Sequence, residues 1–300
     1  MNPPAIKPPL RENRLAGLFL IAVLYVLALG LAVQLYHALD SFSLVWRLLA
    51  ADCAATIFIY LAGLILNNAS LYDPYWSVAP IAILTLLAIH LGTFSAGALI
   101  LLALIWFWGI RLTANWAVTF DHLGIQDWRY DKLRDLSGRL YPLVSLTGIH
   151  LFPTLVVYLA LIPAVYYIQS GRINALTLTG YAVCLLAVTL QAVADAQMHR
   201  HRKQQPDRRQ INNTGLWQRC RHPNYLGEIL MWWGVYLVML SALPTRWYLA
   251  AGALCNTLMF LVISIPMAEK RLAERKAGFS AYREQTPMLL PFRFGQHRHS

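Results

Sequence analysis

Charged residues and cysteines are both scarce in this chain of 300 residues. Asp, Glu, Lys and Arg together make up 13% of it and hydrophobic residues 58%, whereas soluble domains have roughly 25% charged residues. The four cysteines form no CxxC pair, and three of them fall inside apolar runs, which argues against a disulfide framework or a cysteine zinc site. His199 and His201 would point apart on a helix. We therefore predict a membrane protein without a metal centre.

Runs of about 20 apolar residues, the length that crosses a bilayer, recur along the whole chain. The predicted spans are roughly 15–36, 48–66, 75–91, 94–112, 147–168, 174–194, 225–243 and 247–267. The first is longer than the core of a cleavable signal peptide, so we expect it to be retained. The predicted fold class is all-α, a polytopic transmembrane helix bundle of about seven or eight spans. Residues 1–300 form one integral membrane domain, with a short disordered lead at 1–14.

The basic residues predict the topology. If both termini are cytoplasmic, all but three of the 25 Lys and Arg lie on the cytoplasmic side, the exceptions being Arg47, Arg172 and Arg246. This is the positive-inside pattern. The net charge of +11 is thus explained by topology, and its spread over several short loops argues against nucleic-acid binding. We expect a multi-pass protein of the bacterial inner membrane, surrounded by membrane lipids; the sequence leaves its oligomeric state open.

The segment Trp217–Glu228 carries the densest set of hydrogen-bonding residues. Arg221 and His222 precede a helix that Pro223 is suited to begin, because proline lacks the backbone N–H that the first turn would leave unpaired. Asn224 and Glu228 are four residues apart and share a face of that helix. A helix N-terminus with basic side chains suits an anionic ligand such as a phosphate.

Polar residues also cluster at the predicted cytoplasmic ends of other helices. Tyr72, Asp73 and Tyr75 lead into the third span, and Asp73 before Pro74 predicts an N-cap followed by proline at the first helical position. Arg111 shares a face with Trp108 in the fourth span. Gln191, Asp195 and His199 form a stripe at the end of the sixth span, and Asp52 lies inside the second span without an assignable partner.

The segment Trp217–Glu228 resembles the C-terminal signature of the steroid 5α-reductase family and of the related sterol C14/C7 reductases. The run Arg221–Glu228 is especially like the sterol reductases. Downstream, Glu269–Arg271, Phe279–Tyr282 and Pro287–Phe292 are similar to the closing pattern of the family, and upstream Asp195 and Arg202 resemble its cofactor loop. Tyr72–Pro80, together with Gln126–Tyr130, is most similar to a bacterial branch whose members are mostly uncharacterised. The resemblance covers most of residues 65–292.

This resemblance implies NADPH-dependent reduction of a carbon–carbon double bond conjugated to a carbonyl, in a hydrophobic lipid or steroid-like substrate. It places the cofactor in the part of the chain from 195 to 292. The cofactor-binding residues it implies are Asp195, Arg202, Arg221, His222, Asn224, Tyr225, Glu228, Arg271 and Tyr282. It also implies that Asp73 is the acid near the substrate carbonyl, with Tyr72, Tyr75 and Arg111 as further catalytic residues.

The chain departs from the family at one position, because Trp108 stands nearest to where the characterised steroid reductases have a tyrosine. Tryptophan cannot donate a proton in the same way, so Tyr72 or Tyr75 would have to replace it, or the substrate differs. Two alternatives stay open. One is an isoprenylcysteine- or phospholipid-type membrane methyltransferase that uses S-adenosylmethionine; the other is a non-catalytic lipid-binding membrane protein.

Overall fold

The computed structural model describes residues 12–205, 207 and 209–290, and every regular element in this part of the chain is helical. The helices are α1 (Arg14–Ala38), α2 (Leu44–Leu66), α3 (Tyr75–Leu91), α4 (Ala96–Thr119), α5 (Trp128–Ser137), α6 (Tyr141–Val144), α7 (Phe152–Ser170), α8 (Ala175–Gln204), α9 (Leu216–Arg219), α10 (Pro223–Ala242), α11 (Ala250–Met259), α12 (Ile265–Arg275) and α13 (Phe279–Gln285). Short 3-10 segments at 69–72, 138–140 and 244–249 and π segments at 145–151 and 260–264 join or extend them.

Eight helical stretches among the described residues are long and apolar enough to cross a membrane. They correspond in order to the eight predicted spans. Many large apolar side chains on them are exposed, including Leu15, Ile65 and Val262, as expected for surfaces that face lipid. The chain is a multi-pass integral membrane protein. Of the predicted lead 1–14, residues 1–11 lie outside the described residues, whereas the Asn13 side chain accepts a hydrogen bond from the Ala16 N–H at the start of α1.

Between the predicted spans 94–112 and 147–168, residues from Trp128 onward are helical, and Asp127 caps α5 by accepting a hydrogen bond from the Arg129 N–H. One local prediction was wrong. Asp73 was expected to cap α3, but that helix begins at Tyr75 without a side-chain cap. Asp73 itself has helical backbone angles, φ −54° and ψ −41°, and its carboxylate is bonded elsewhere.

The chain divides into two compact units, 1–93 with 105–158, and 94–104 with 159–300. The first contains α1, α2 and α3, and α1 packs along α2. A buried cluster in this unit brings together Ile21, Ala28, Ile59, Leu71 and Tyr72.

The second unit is organised around the pair α8 and α10, which have the most extensive contact between any two helices in the described part of the chain. Gly180 and Gly227 lie at this contact, where an added Cβ would come 2.8 Å from the Val238 nitrogen or from the Ala187 carbonyl oxygen, respectively. Small residues allow membrane helices to approach closely, so these glycines permit the tight pairing.

Candidate functional site

An apolar cavity of about 460 Å³ lies between α1, α2 and α3 in the first unit. Its lining is mostly alanine, valine, leucine and isoleucine, including Ala28, Ala51 and Leu87. Asp52 and Tyr75 are two of its few polar lining residues, and both are buried. A largely apolar cavity with a small number of placed polar groups is the usual form of a small-molecule site.

Asp52 and Tyr75 are directly hydrogen-bonded in the wall of this cavity. The Tyr75 hydroxyl lies 2.7 Å from Asp52 Oδ1 and 3.2 Å from the Asp52 carbonyl oxygen. An ionised carboxylate away from water is expensive unless it is paired or hydrogen-bonded. The tyrosine supplies that bond, so the pair is a polar centre built into an otherwise apolar surface.

Further tyrosines hold this pair in place. The Tyr75 ring stacks on Tyr72 at 5.3 Å and meets the edge of Tyr25 at 5.9 Å. Tyr72 in turn shares a hydrogen bond of 2.7 Å with Thr154, which is 2.9 Å from the Thr56 hydroxyl. Packing and buried hydrogen bonds on both rings therefore fix the orientation of Tyr75.

Asp73, the predicted catalytic acid, belongs to a different network. Its Oδ1 accepts a hydrogen bond of 2.6 Å from the Tyr130 hydroxyl. Around it, Asn68 donates to the Leu123 carbonyl at 2.7 Å, and Ser70 accepts from the Asp127 N–H at 2.8 Å. These bonds attach the segment before α3 to the segment leading into α5, and Asp73 does not line the cavity.

The other predicted catalytic residues differ in their position relative to the cavity. Tyr75 lines the cavity, whereas Tyr72 lies behind it against Thr154. Arg111 is half-buried on α4, and the fully buried Trp108 packs against Trp76 at 6.2 Å. Sequence reasoning missed Asp52 as a site residue. The available signal was that Asp52 is one of only two acidic residues inside the predicted spans, the other being Glu228.

In the second unit, Arg221 and His222 meet Glu269 of α12. Arg221 Nε is 2.7 Å and His222 Nε2 is 3.1 Å from Glu269 Oε1. Arg221 Nη1 also donates to the carbonyls of Arg283, at 3.0 Å, and Thr286. We call Arg221, His222 and Glu269 the clamp, because they fasten the residues after α13 to the start of α10.

Backbone bonds extend the clamp. The N–H groups of Arg221 and His222 donate to the carbonyls of Pro287 and Met288 at 2.9 and 3.2 Å. The Tyr282 hydroxyl donates to the Trp217 carbonyl. Burial is the main cause that raises the pKa of Tyr282 above its ordinary value, so this hydroxyl stays protonated and acts as a donor. Arg221 and Tyr282, predicted to bind a cofactor, thus hold the C-terminal segment in place.

The other predicted cofactor residues lie on or near α8, α10 and α12. The His222 and Tyr225 rings stack in parallel at 5.3 Å, and Glu228 is buried with its Oε1 accepting from the Trp232 indole at 3.1 Å. Asn224, Asp195 and Arg271 are half-buried, and Arg202 is exposed. Pro223 is the first residue of α10, as predicted.

Arg202 lies close enough to Lys276 for their charges to interact. The pKa of Lys276 is lowered, first by burial and second by the positive charge of Arg202, while the Asp207 carboxylate acts in the opposite direction. The Lys276 ammonium group donates to the Gln210 carbonyl at 2.8 Å. Asp207 offsets part of the repulsion between the two cations, and an anion such as a phosphate would offset more of it. Among the described residues, no group of His, Cys, Asp and Glu could hold a metal ion.

Comparison with known proteins gives a family match but no described activity. A family model described as a protein of unknown function (DUF1295) matches residues 59–286. An uncharacterized protein of Schizosaccharomyces pombe is 26% identical over 257 residues, which cover 77% of this chain and 75% of that protein. No solved structure matches.

Proposed function

The chain belongs to the DUF1295 family, and we propose that it is a membrane-embedded, NADPH-dependent reductase. Its substrate in this proposal is a lipid or steroid-like molecule with a carbon–carbon double bond conjugated to a carbonyl. The observation that carries the proposal is the buried Asp52–Tyr75 pair in the wall of an apolar cavity. The similarity of the segment around Arg221–Glu228 to the steroid and sterol reductases supports it.

The Asp52–Tyr75 pair has the chemistry that such a reduction needs at the substrate oxygen. When a hydride adds to the β-carbon of a conjugated carbonyl, negative charge develops on the carbonyl oxygen and an enolate forms. A donor aimed at that oxygen in a water-poor site stabilises the charge. In the structure the Tyr75 hydroxyl donates to Asp52 Oδ1. For Tyr75 to donate to the substrate oxygen instead, Asp52 would have to carry a proton and donate it to Tyr75.

The proton balance also fits this arrangement. Reduction of the double bond adds one hydride at the β-carbon and one proton at the α-carbon. The enolate oxygen would take a proton from Tyr75, which Asp52 would reprotonate. When the enol becomes the ketone, the α-carbon gains one proton from solvent and the O–H proton returns to the Asp52–Tyr75 pair, so one hydride and one proton are consumed. General acid catalysis of this type contributes a factor of about 10²–10⁴.

The residues of the second unit fit a dinucleotide carrying a phosphate on its ribose. Arg202 and Lys276 supply two neighbouring cations, and the parallel rings of His222 and Tyr225 supply a flat surface. NADPH would supply the hydride when bound. The clamp contributes indirectly, since it fixes the segment that carries Tyr282 and holds His222 beside Tyr225.

Cofactor binding to the detergent-purified full chain tests the proposal first. We expect NADPH to bind, NADH to bind more weakly, and S-adenosylmethionine not to bind. NADPH oxidation is then followed with a panel of enone steroids, sterols and enoyl lipids. Binding of S-adenosylmethionine instead would favour a methyltransferase, and binding of neither would favour a non-catalytic lipid-binding protein.

A further inference from the structure

The apolar cavity has a second group of polar lining residues besides Asp52 and Tyr75. These are Tyr36 and His37 of α1 and His90 of α3. Their three rings contact one another edge to face, with centroids 5.4, 5.6 and 5.7 Å apart. We call these three residues the aromatic mouth. His37 and His90 are each one residue before the last residue of α1 and of α3, and Tyr36 is two residues before the last residue of α1.

A cation stands directly beside the aromatic mouth. The Arg47 guanidinium lies 4.1 Å from the centre of the Tyr36 ring, and its Nε donates to the Tyr36 carbonyl at 3.0 Å. Among the described residues, Arg47 pairs with no carboxylate in the structure, and no hydrogen bond involves the His37 or His90 side chain. Both histidines are exposed. The mouth and Arg47 together therefore offer imidazole and guanidinium donors to an anion.

The lining around these groups is otherwise apolar. On α1 and α3 the lining residues between Tyr25 and Tyr36 and between Tyr75 and His90 are alanine, valine, leucine and isoleucine. Arg47 and Asp52 are five residues apart on α2, about 7.5 Å at a helical rise of 1.5 Å per residue. A molecule with its polar group at the aromatic mouth would place its apolar part against this lining.

The cavity is open toward lipid. Val26 of α1 and Ile89 of α3 line it and are 69% and 60% exposed. Exposed apolar residues in a membrane-spanning stretch face the bilayer, so the opening between α1 and α3 admits molecules from the membrane. A ligand dissolved in the lipid can enter sideways without passing through water.

We propose that the cavity binds a long-chain carboxylic acid, with its carboxylate at the aromatic mouth beside Arg47 and its chain against the apolar lining. A carboxylate satisfies the His37, His90 and Arg47 donors, and the hydrocarbon chain fills the apolar part of the cavity. Binding of the acid does not rest on the proposed function.

Direct binding tests the proposal in the absence of NADPH. Radiolabelled palmitic acid, its methyl ester and a two-chain phosphatidylcholine are each titrated into the full chain in detergent. We expect the acid to bind at least tenfold more tightly than the ester, and the phospholipid not to compete. Arg47→Gln should remove the preference for the acid.

Two variants make the outcome specific. Arg246→Gln is the matched control, since Arg246 also lies over a tyrosine ring, that of Tyr166 at 3.8 Å, and it should leave binding unchanged. Ala82→Trp fills the cavity wall and should abolish binding of acid and ester alike while circular dichroism stays helical. Should Ala82→Trp not fold, blockage of palmitate binding by bulky alkylation at Ala82→Cys provides the same test.

Equal affinity for acid and ester, or an unchanged preference in Arg47→Gln, overturns the assignment of the mouth. Tighter binding of the phospholipid also overturns it, since the occupant would then be a bilayer lipid. Binding of palmitate without any NADPH binding or oxidation would instead count against the proposed reductase and leave the acid site standing.

Discussion

The helix pair α8 and α10 in the second unit differs from the three helices α1, α2 and α3 in the first. Gly180 and Gly234 let α8 and α10 approach until an added Cβ at either would fall within 3 Å of the facing helix. Between α1, α2 and α3 lies a cavity of about 460 Å³. Apolar helices therefore form a closed contact in one place and leave a cavity in the other.

From this difference we infer that the second unit mainly stabilises the fold, whereas the cavity of the first unit carries the proposed chemistry. The second unit combines the close helix pair with the clamp of Arg221, His222 and Glu269, which fastens distant parts of the chain together. The first unit leaves space and places the Asp52–Tyr75 pair at its wall. Substitutions in the second unit should mainly change stability or cofactor binding, and substitutions at the cavity should mainly change turnover.

The largest effect is expected from loss of the cavity hydroxyl. Tyr75→Phe keeps the ring but removes the donor to the substrate oxygen, so turnover should fall by about 10²-fold or more, with the NADPH dissociation constant unchanged. Steady-state NADPH oxidation and cofactor titration measure the two quantities. Tyr236→Phe is the matched control in the second unit, where the hydroxyl donates to the Trp247 carbonyl at 3.0 Å. An equal loss of turnover in Tyr75→Phe and Tyr236→Phe would contradict the assignment of the chemistry to the cavity.

Removal of the clamp carboxylate should lower stability next most strongly. Glu269→Ala leaves Arg221 and His222 without their shared partner, and removing one partner of a buried ion pair costs about 3–5 kcal/mol. Thermal unfolding in detergent measures the loss. Glu284→Ala on α13, where the side chain is exposed, should change the midpoint little. Unchanged stability in Glu269→Ala would show that the clamp does not hold the C-terminal segment.

Substitution of glycine by alanine should change the free energy of unfolding in opposite directions at two positions, one in each unit. Gly180→Ala forces a Cβ to within 2.8 Å of the Val238 backbone nitrogen, and overpacking of this kind costs about 1–3 kcal/mol. Gly30→Ala meets nothing within 4 Å and should gain up to about 1 kcal/mol from helix propensity. Unfolding midpoints of the two variants in one detergent give the comparison, and a shift of the same sign in both would contradict it.

The smallest effect concerns the cations near the end of α8. Arg202→Gln should weaken NADPH binding about tenfold, since a charge-assisted bond contributes about 1.5 kcal/mol, and should change NADH binding little. Because burial and, second, the positive charge of Arg202 lower the pKa of Lys276, Lys276 loses its proton at lower pH than an ordinary lysine, and NADPH affinity should fall as it does so. In Arg202→Gln this fall should move to higher pH. NADPH titrations across alkaline pH measure this shift. An unchanged pH dependence of NADPH affinity in Arg202→Gln would show that Lys276 does not bind the phosphate.

The sequence predicted the spans well because each is a continuous apolar run, and it placed Pro223 at the start of α10 because proline suits that position. It could not pair Asp52 with Tyr75 or Arg221 with Glu269, since these partners are 23 and 48 residues apart and meet only through helix packing. Asp73 was misassigned because a local Asp-Pro pattern predicts a cap, whereas the tertiary bond from Tyr130 determines its position. The prediction of cytoplasmic termini is not tested by the structure.

The choice between Asp52 and Asp73 tests the central claim most directly, because the two carboxylates belong to the same unit and only Asp52 lines the cavity. Asp52→Asn and Asp73→Asn are compared for NADPH oxidation with the best substrate of the panel, at matched folded protein and saturating NADPH. The account predicts a loss of turnover of about 10²-fold or more in Asp52→Asn and a turnover within a few-fold of the unmodified protein in Asp73→Asn. Full activity in Asp52→Asn together with loss of activity in Asp73→Asn would contradict it.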